Sequence, residues 1–334
     1  MELLILTNNP NRASFRQRIE VYLDTLRENG INCEIATFPF GYLARWKLFR
    51  RARQFDGVFL HKKKLNLLDA FCLCKYSKKI IYNFDDAVMY SEKNPNRDSW
   101  SRLIPFRRTV KLADMVIASN SYLAEHAKKF NTKVEVLPTG LDIKAYKTDN
   151  KIESDGKIRL VWIGSKSTLR YLTEIKPALE EIGSRFENVI LRIICDEFFE
   201  LKNMPVEKRH WSLEAEAADL AASDIGLAPL PDNRFTRGKC GFKILQYASA
   251  GLSVVASPVG VNSEYVHDGV TGFLVTNLSQ WSDRLARLIK NPTLRETMGA
   301  AGRKSVRNFD IAVIGKQLCI LLKKVLQQDD SHNG

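Results

Sequence analysis

What the 334-residue chain lacks narrows it first. Its six cysteines stand at 33, 72, 74, 195, 240 and 319, and no two form a C-x-x-C pair. Cys72 and Cys74 are too close together for half of an ordinary zinc site, so reduced thiols of a cytosolic protein are the expectation. The opening MELLILTNNP has neither the basic start nor the long apolar core of a secretion signal. Long apolar runs are also missing. Ile244 to Val261 is uncharged over 18 residues, but it contains Gln246, Ser249, Gly251, Ser253, Ser257 and Pro258. It reads as helix, turn, buried strand and loop, not as a transmembrane span. Negative charge is scarce in one half only. Residues 1–150 hold 26 Lys+Arg against 16 Asp+Glu, whereas 151–334 hold 25 against 22. The excess lies mainly between Arg45 and Lys111. Such a one-sided basic surface points to an anionic partner (a membrane face, a phosphorylated acceptor or nucleic acid), with a solvated surface as the plain alternative.

What is present is alternation. Strands are expected at Leu3–Leu6, Ile35–Ala36, Gly57–Leu60, Lys79–Asn83, Met115–Ala118 and Val134–Leu137, with helices at Phe15–Asn29 and Ser121–Phe130. A second series begins at Ile158–Ile163 and continues through Val189–Ile194, Ile225–Leu230, Ser253–Ala256 and Thr271–Val275. Helices Tyr171–Arg185, Leu213–Ala222, Phe242–Ala250 and Trp281–Lys290 fit between these strands, and Ile311–Leu326 forms a long amphipathic tail helix. The fold class is α/β: two Rossmann-like, doubly wound domains facing across a cleft. The expected boundaries are 1–147 for the acceptor-side domain, 148–157 for a polar linker and 158–308 for the donor domain. Residues 309–330 form a helix crossing back to the first domain. Parallel sheets place ligands at the carboxyl ends of their strands, so nucleotide binding is the default expectation.

The densest signal is 228–275, where Arg237, Lys239 and Lys243 cluster around Gly238 and Gly241 ahead of the helix Phe242–Ala250. Glycines admit a ligand close to the backbone, and a helix start offers N–H donors to a phosphate. Cations there would balance a diphosphate and stabilise it as it leaves. A solvated basic loop is the bland alternative.

This arrangement resembles the donor-site region of the family 4 glycosyltransferases, which have the GT-B fold. SNSYLAEHAKKFNTKVEVLPTGLD (119–142), WIGSKSTLRYL (162–172), ASDIGLAPLPD (222–232) and the stretch 237–275 match in order, and the likeness covers nearly the whole chain. It implies a retaining, metal-independent transferase that closes two domains around a nucleoside diphosphate sugar, UDP- or GDP-linked, with no permanently bound cofactor. The chain is a divergent branch. Many relatives carry two glutamates with seven residues between them, and those positions align with Gly238 and Gln246. Gln246 is then the ribose ligand, and Asp232 the candidate for the missing sugar contact. The family's Arg and Lys after the first strand of the second domain align with Ser165 and Arg170, beside Gly164 and Lys166. The diphosphate contact accordingly shifts to Arg237, Lys239 and Lys243, flanked by Gly241 and Phe242. Glu264 sits where relatives hold a loop near the donor.

In the first domain, IIYNFDDAVMY ends a strand with Asp85 and Asp86, and a histidine of many relatives aligns with Asp85. Paired carboxylates can orient sugar hydroxyls, take a proton from the acceptor or stabilise charge at the anomeric carbon; an Asp turn after the strand is the other reading. His61 reads as structural. Arg12, Arg16 and Arg18 replace the family's glycine-rich acceptor loop. They suit an anionic, lipid-linked acceptor as well as they suit exposed helix-start charges. Tyr42, Trp46 and Phe49 share one helical face flanked by Arg45, Arg50 and Arg53, the pattern of a helix lying on an anionic membrane surface or of an ordinary core-facing helix. HKKK (61–64) adds to that field. Trp211 and Glu214–Glu216 read as structural, with a place beside the nucleotide base as the second reading.

Three functions compete. A glycosyltransferase acting on a lipid-linked or surface-polysaccharide intermediate, peripheral on the inner face of the cytoplasmic membrane, uses every feature above. A sugar-nucleotide epimerase or hydrolase would have no use for a basic acceptor side. A nucleic-acid-binding protein would interleave aromatics with its basic clusters, and this chain does not.

Overall fold

The computed structural model describes residues 1–146 and 155–327. It divides into two compact units. Unit 1 comprises Met1–Gly140, Asn233–Cys240 and the chain from Ile311; unit 2 comprises Leu141–Asp232 and Gly241–Asp310. The loop around Arg237 and Lys239 thus packs with the first unit, although its sequence neighbours build the second. Most of the expected linker 148–157, residues 148–154, lies outside the described residues.

Unit 1 carries a six-stranded parallel sheet in the order β2-β1-β3-β4-β5-β6. Its strands are β1 Glu2–Thr7, β2 Asn32–Thr37, β3 Gly57–His61, β4 Ile80–Phe84, β5 Met115–Ala118 and β6 Val134–Val136. Four of these read as unbroken apolar runs because helices cover both faces. Alternation then sorts each run. Leu4, Leu6, Val58, Leu60, Tyr82 and Phe84 face a core shared with helices Tyr42–Arg51, Leu67–Tyr76 and Trp100–Leu112. Leu3, Ile5, Phe59 and Ile81 face Ile314, Leu318 and Leu322 of the tail helix Ile311–Leu326.

Unit 2 has the order β12-β11-β10-β7-β8-β9, again parallel. The strands are β7 Ile158–Ile163, β8 Val189–Ile194, β9 Val206–Arg209, β10 Ile225–Ala228, β11 Ser253–Ala256 and β12 Gly272–Leu274. Leu160 and Trp162 of β7 face one core, Val161 and Ile163 the other.

Two expected helices are broken, each for a local reason. Phe15–Asn29 becomes Ala13–Arg18, a 3-10 turn Glu20–Tyr22 and Leu23–Glu28. At the break Ile19 turns inward (φ −138°), Arg18 donates to Leu137 O and Tyr22 Oη accepts from Gly140 N. Tyr171–Arg185 becomes Lys166–Glu174 and Lys176–Arg185. The second helix restarts with Pro177 in its first turn, where a missing N–H costs nothing. No helix of the described residues is long and apolar enough to cross a membrane.

Candidate functional site

Each sheet reverses its winding once, and ligands bind at the carboxyl edge beside such a reversal. In unit 1 the reversal lies between β1 and β3, in unit 2 between β7 and β10.

At the unit 1 edge, β3 ends in His61 and the chain then places Lys62 in the left-handed region (φ +56°), the one non-glycine residue there among the described residues. A side chain in that region costs on the order of 1 kcal/mol. The strain sets the Lys62 ammonium between two carboxylates at the end of β4, 2.8 Å from Asp85 Oδ1 and 2.6 Å from Asp86 Oδ2. Lys239 reaches the other oxygen of Asp86 at 3.1 Å. Burial by itself would raise the Asp86 carboxyl, but Lys239 and Lys62 outweigh it and hold the group down to about 2. Burial likewise opposes charge on both lysines, and their carboxylate partners raise them nonetheless. Asp86, Lys62 and Lys239 are therefore held in their charged forms. The cluster presents carboxylate oxygens that accept hydroxyl hydrogen bonds and oppose positive charge.

His61 lies beneath the cluster. Its Nδ1 meets Thr7 Oγ1 at 3.2 Å, and burial, helped by Lys62 and Arg18, lowers it to about 4 despite the nearby carboxylates. It is neutral at physiological pH, in keeping with a structural histidine. An NMR titration should accordingly find the His61 ring resonances flat from pH 8 to pH 5 while exposed histidines shift. Arg18 is buried, with Nη1 donating to the Leu137 carbonyl while Nε and Nη2 make no hydrogen bond to the protein. Of the three arginines expected at the acceptor loop, Arg12 is exposed, Arg16 is partly so and Arg18 is not. The inward turn at Ile19 takes Arg18 into the interior.

The segment 233–240 is fastened to unit 1 along its length. Asn233 Oδ1 accepts from Phe235 N and Thr236 N, Phe235 is buried in the sheet's core, and Tyr122 Oη donates to Arg234 O. Arg234 pairs with Asp98 at 2.7 Å, and Asn120 Nδ2 donates to Lys239 O. Gly238 lies flat against the wall: a Cβ there would come within 2.8 Å of Ala87 Cβ and 2.9 Å of Leu123 Cδ2. The position aligned with a family glutamate has no room for any side chain.

In unit 2, β7 runs into Gly164, then Ser165, which caps Lys166–Glu174 in a capping box with Thr168. A Cβ on Gly164 would lie 2.5 Å from the Trp162 ring and 2.9 Å from Lys243 Nζ. Lys243, in the first turn of helix Phe242–Ala250, rests its ammonium 4.5 Å above Trp162. That helix starts from left-handed Gly241 (φ +65°) without a side-chain cap, and a Cβ on Gly241 would strike Val261 and Tyr265. Lys166 pairs with Glu197, Arg170 donates to Tyr171 Oη at 3.1 Å, and Asp232 and Glu264 are exposed. The three cations expected around one diphosphate are divided: Lys243 belongs to unit 2, while Arg237 and Lys239 belong to unit 1.

Gln246, expected at the ribose, is buried. Its Nε2 donates to Glu216 Oε1 at 2.7 Å, Trp211 Nε1 donates to Glu216 Oε2 at 2.6 Å, and Tyr146 donates to the same carboxylate. Trp211 and Glu216 thus hold the structural role their sequence reading favoured. The amphipathic helix also differs from its expected face. Phe49 is buried in the core and Arg45 pairs with Asp69 at 2.8 Å, so Tyr42 and Trp46 remain outside without Phe49. Lys62 went unnoticed because it sits in the run HKKK. The available signal was its place one residue past an apolar strand.

Residues 209–291 match the family described as Glycosyl transferases group 1. The chain is similar to the phosphatidyl-myo-inositol mannosyltransferase of Mycobacterium leprae, 30% identical over 105 residues, 31% of this chain and 27% of that one. It is also similar to the Mycobacterium tuberculosis protein of the same name, 24% identical over 200 residues, 54% of this chain and 52% of that one. The chain spans about half the length of these relatives or less. Among solved structures, Anabaena HepE in complex with UDP and glucose matches with a TM-score of 0.73 at 17% identity, covering 97% of this chain and 100% of that one.

Proposed function

We propose that this chain is a family 4 glycosyltransferase of GT-B fold and that it moves a sugar from a nucleoside diphosphate, UDP- or GDP-linked, to an acceptor hydroxyl. Transfer retains the anomeric configuration and requires no metal ion. The acceptor is an anionic, lipid-linked or surface-polysaccharide intermediate at the inner face of the cytoplasmic membrane. The observation that carries this reading is the meeting of Gly164 and Lys243 at the carboxyl edge of β7. There a bare backbone, an ammonium and an uncapped helix start converge beside the sheet's reversal. Lys243 takes the diphosphate, while Gly164, Ser165, Arg170, Gly241 and Phe242 shape the pocket. Asp85 and Asp86 receive the sugar hydroxyls. Lys239 serves that carboxylate pair more than the diphosphate. Arg12 and Arg16 face the acceptor. Asp232 and Glu264 are held as further donor contacts.

The relatives support a lipid acceptor by name, since both are phosphatidyl-myo-inositol mannosyltransferases, and HepE was solved with UDP and glucose. The test supplies labelled UDP- and GDP-sugars with a lipid-linked acceptor pool in EDTA, and assigns the product anomer by NMR. Transfer with retained configuration is expected. Failure of every donor, or a strict metal requirement, would overturn the proposal. Lys243→Ala should weaken UDP or GDP binding about 30-fold in calorimetry, the worth of one charge-assisted contact of roughly 2 kcal/mol. The melting temperature should stay nearly unchanged.

A further inference from the structure

Unit 1 places an unusual set of side chains in water. Helices Tyr42–Arg51, Leu67–Tyr76 and Trp100–Leu112 follow β2, β3 and β4 and share one core on one face of the sheet. In a parallel sheet each such helix begins at the carboxyl edge. At or just before the start of each, a pair of large apolar residues is exposed: Phe40 and Leu43, Leu67 and Phe71, Trp100 and Ile104. Phe40 is 98% exposed and Leu43 79%. Single exposed apolar residues need no explanation, but three neighbouring pairs along one edge do. Arg45 steadies the first pair by donating to Pro39 O while bound to Asp69. The surrounding charge is predominantly basic. Residues 40–104 contain fourteen Lys+Arg and six acidic residues, and Asp56, Asp69, Asp85, Asp86 and Asp98 are each already in an ion pair.

We propose that this three-helix edge is a docking surface for an anionic lipid bilayer: the six apolar side chains enter the headgroup boundary and the basic residues around them meet the lipid phosphates. A second copy of the chain fits poorly, because it would bring two strongly basic surfaces together. The edge also carries Asp85 and Asp86 at the end of β4. Docking here keeps an acceptor's tail in the bilayer while its head group stands beside those carboxylates. The inference rests on the lipid-linked acceptor proposed above and adds where the bilayer meets the chain.

The experiment uses the full chain with no donor or acceptor. Sedimentation with phosphatidylglycerol/phosphatidylcholine vesicles is compared with phosphatidylcholine alone, across a salt series. Binding should require phosphatidylglycerol and weaken with salt. The triple variant Phe40→Ser, Leu43→Ser, Phe71→Ser should lose at least about tenfold in partitioning, with an unchanged melting temperature because all three sites are exposed. The proposal is overturned if vesicles of both compositions bind alike, if the triple variant binds as well as the parent, or if the parent is a dimer that the triple variant converts to monomer. UDP and GDP binding, measured in parallel, separates the two proposals. Vesicle binding without nucleotide binding removes the transferase reading and leaves the surface standing; the reverse removes the surface alone.

Discussion

On the proposed transferase reading, Lys62→Met is expected to reduce transfer by roughly a thousandfold, the scale of losing one preorganised charge beside the transferred sugar. It should also destabilise unit 1 by about 3–5 kcal/mol, the usual result of leaving a buried carboxylate without its counter-ion. The affected group is Asp85, 6% exposed, whose ammonium partner at 2.8 Å would be gone. The double variant Lys62→Met, Asp85→Asn separates the two losses. It removes both charges, so stability should return while turnover does not. Recovery of turnover by the double variant would show that Lys62 matters only for folding.

The same cluster fixes a pH dependence. Asp86 has a depressed value of about 2, so its contribution is present above the ordinary carboxylate range and is lost as pH falls through 2. At that depression the contribution is on the order of 2 kcal/mol. Lys62 and Lys239 are raised, so theirs is complete below the ordinary lysine value and is lost only as pH rises beyond it. Between about pH 5 and pH 9 the cluster should therefore add a constant amount to stability. Asp86→Asn should remove the acid limb, visible as a flatter plot of melting temperature against pH below about 4.

Gly238→Glu should damage the protein even though it restores the residue type that many relatives carry at the aligned position. The new Cβ would arrive 2.8 Å from Ala87 Cβ and 3.0 Å from Ala87 N, so the neighbour to be displaced includes backbone. Overpacking of this kind costs about 1–3 kcal/mol. It should act by lifting the segment 233–240, withdrawing Lys239 from Asp86. Faster limited proteolysis within that segment and at least about a hundredfold loss of turnover are the expected readouts. Restored or improved transfer would mean that the segment moves freely and that the sugar contact lies here after all.

The sheets were legible because burial on both faces writes most central strands as apolar runs, as in Leu3–Leu6 and Met115–Ala118. Strand β9, Val206–Arg209, was not legible: an edge strand with only partly buried residues has no reason to be apolar. Helix Pro292–Ser305 was also missed, since its buried residues include two glycines whose role is close approach. In the candidate site, Asp85 and Asp86 were visible as paired acids after a strand. Their counter-charges were not. Lys62 was lost in a basic run and Lys239 was assigned to a phosphate, and no local pattern reveals a contact across 153 positions of chain. Gln246 was seen as an amide in a suggestive place, and its partner Glu216, 30 residues away, was invisible for the same reason.

Unit 1 is assembled from three separate stretches, the last of which begins at Ile311. Ile314, Leu318 and Leu322 complete the core that Leu3, Ile5 and Phe59 begin. During synthesis the first half leaves the ribosome with that sheet face covered only in part, by Phe15, Ile19, Tyr22 and Leu26, and the cover stays incomplete until the tail helix has been made. The second unit, closed by Asp310, has all its parts earlier. The more basic unit therefore completes its core after the second, and a nascent chain stalled before residue 311 would leave part of an apolar sheet face open to chaperones and proteases.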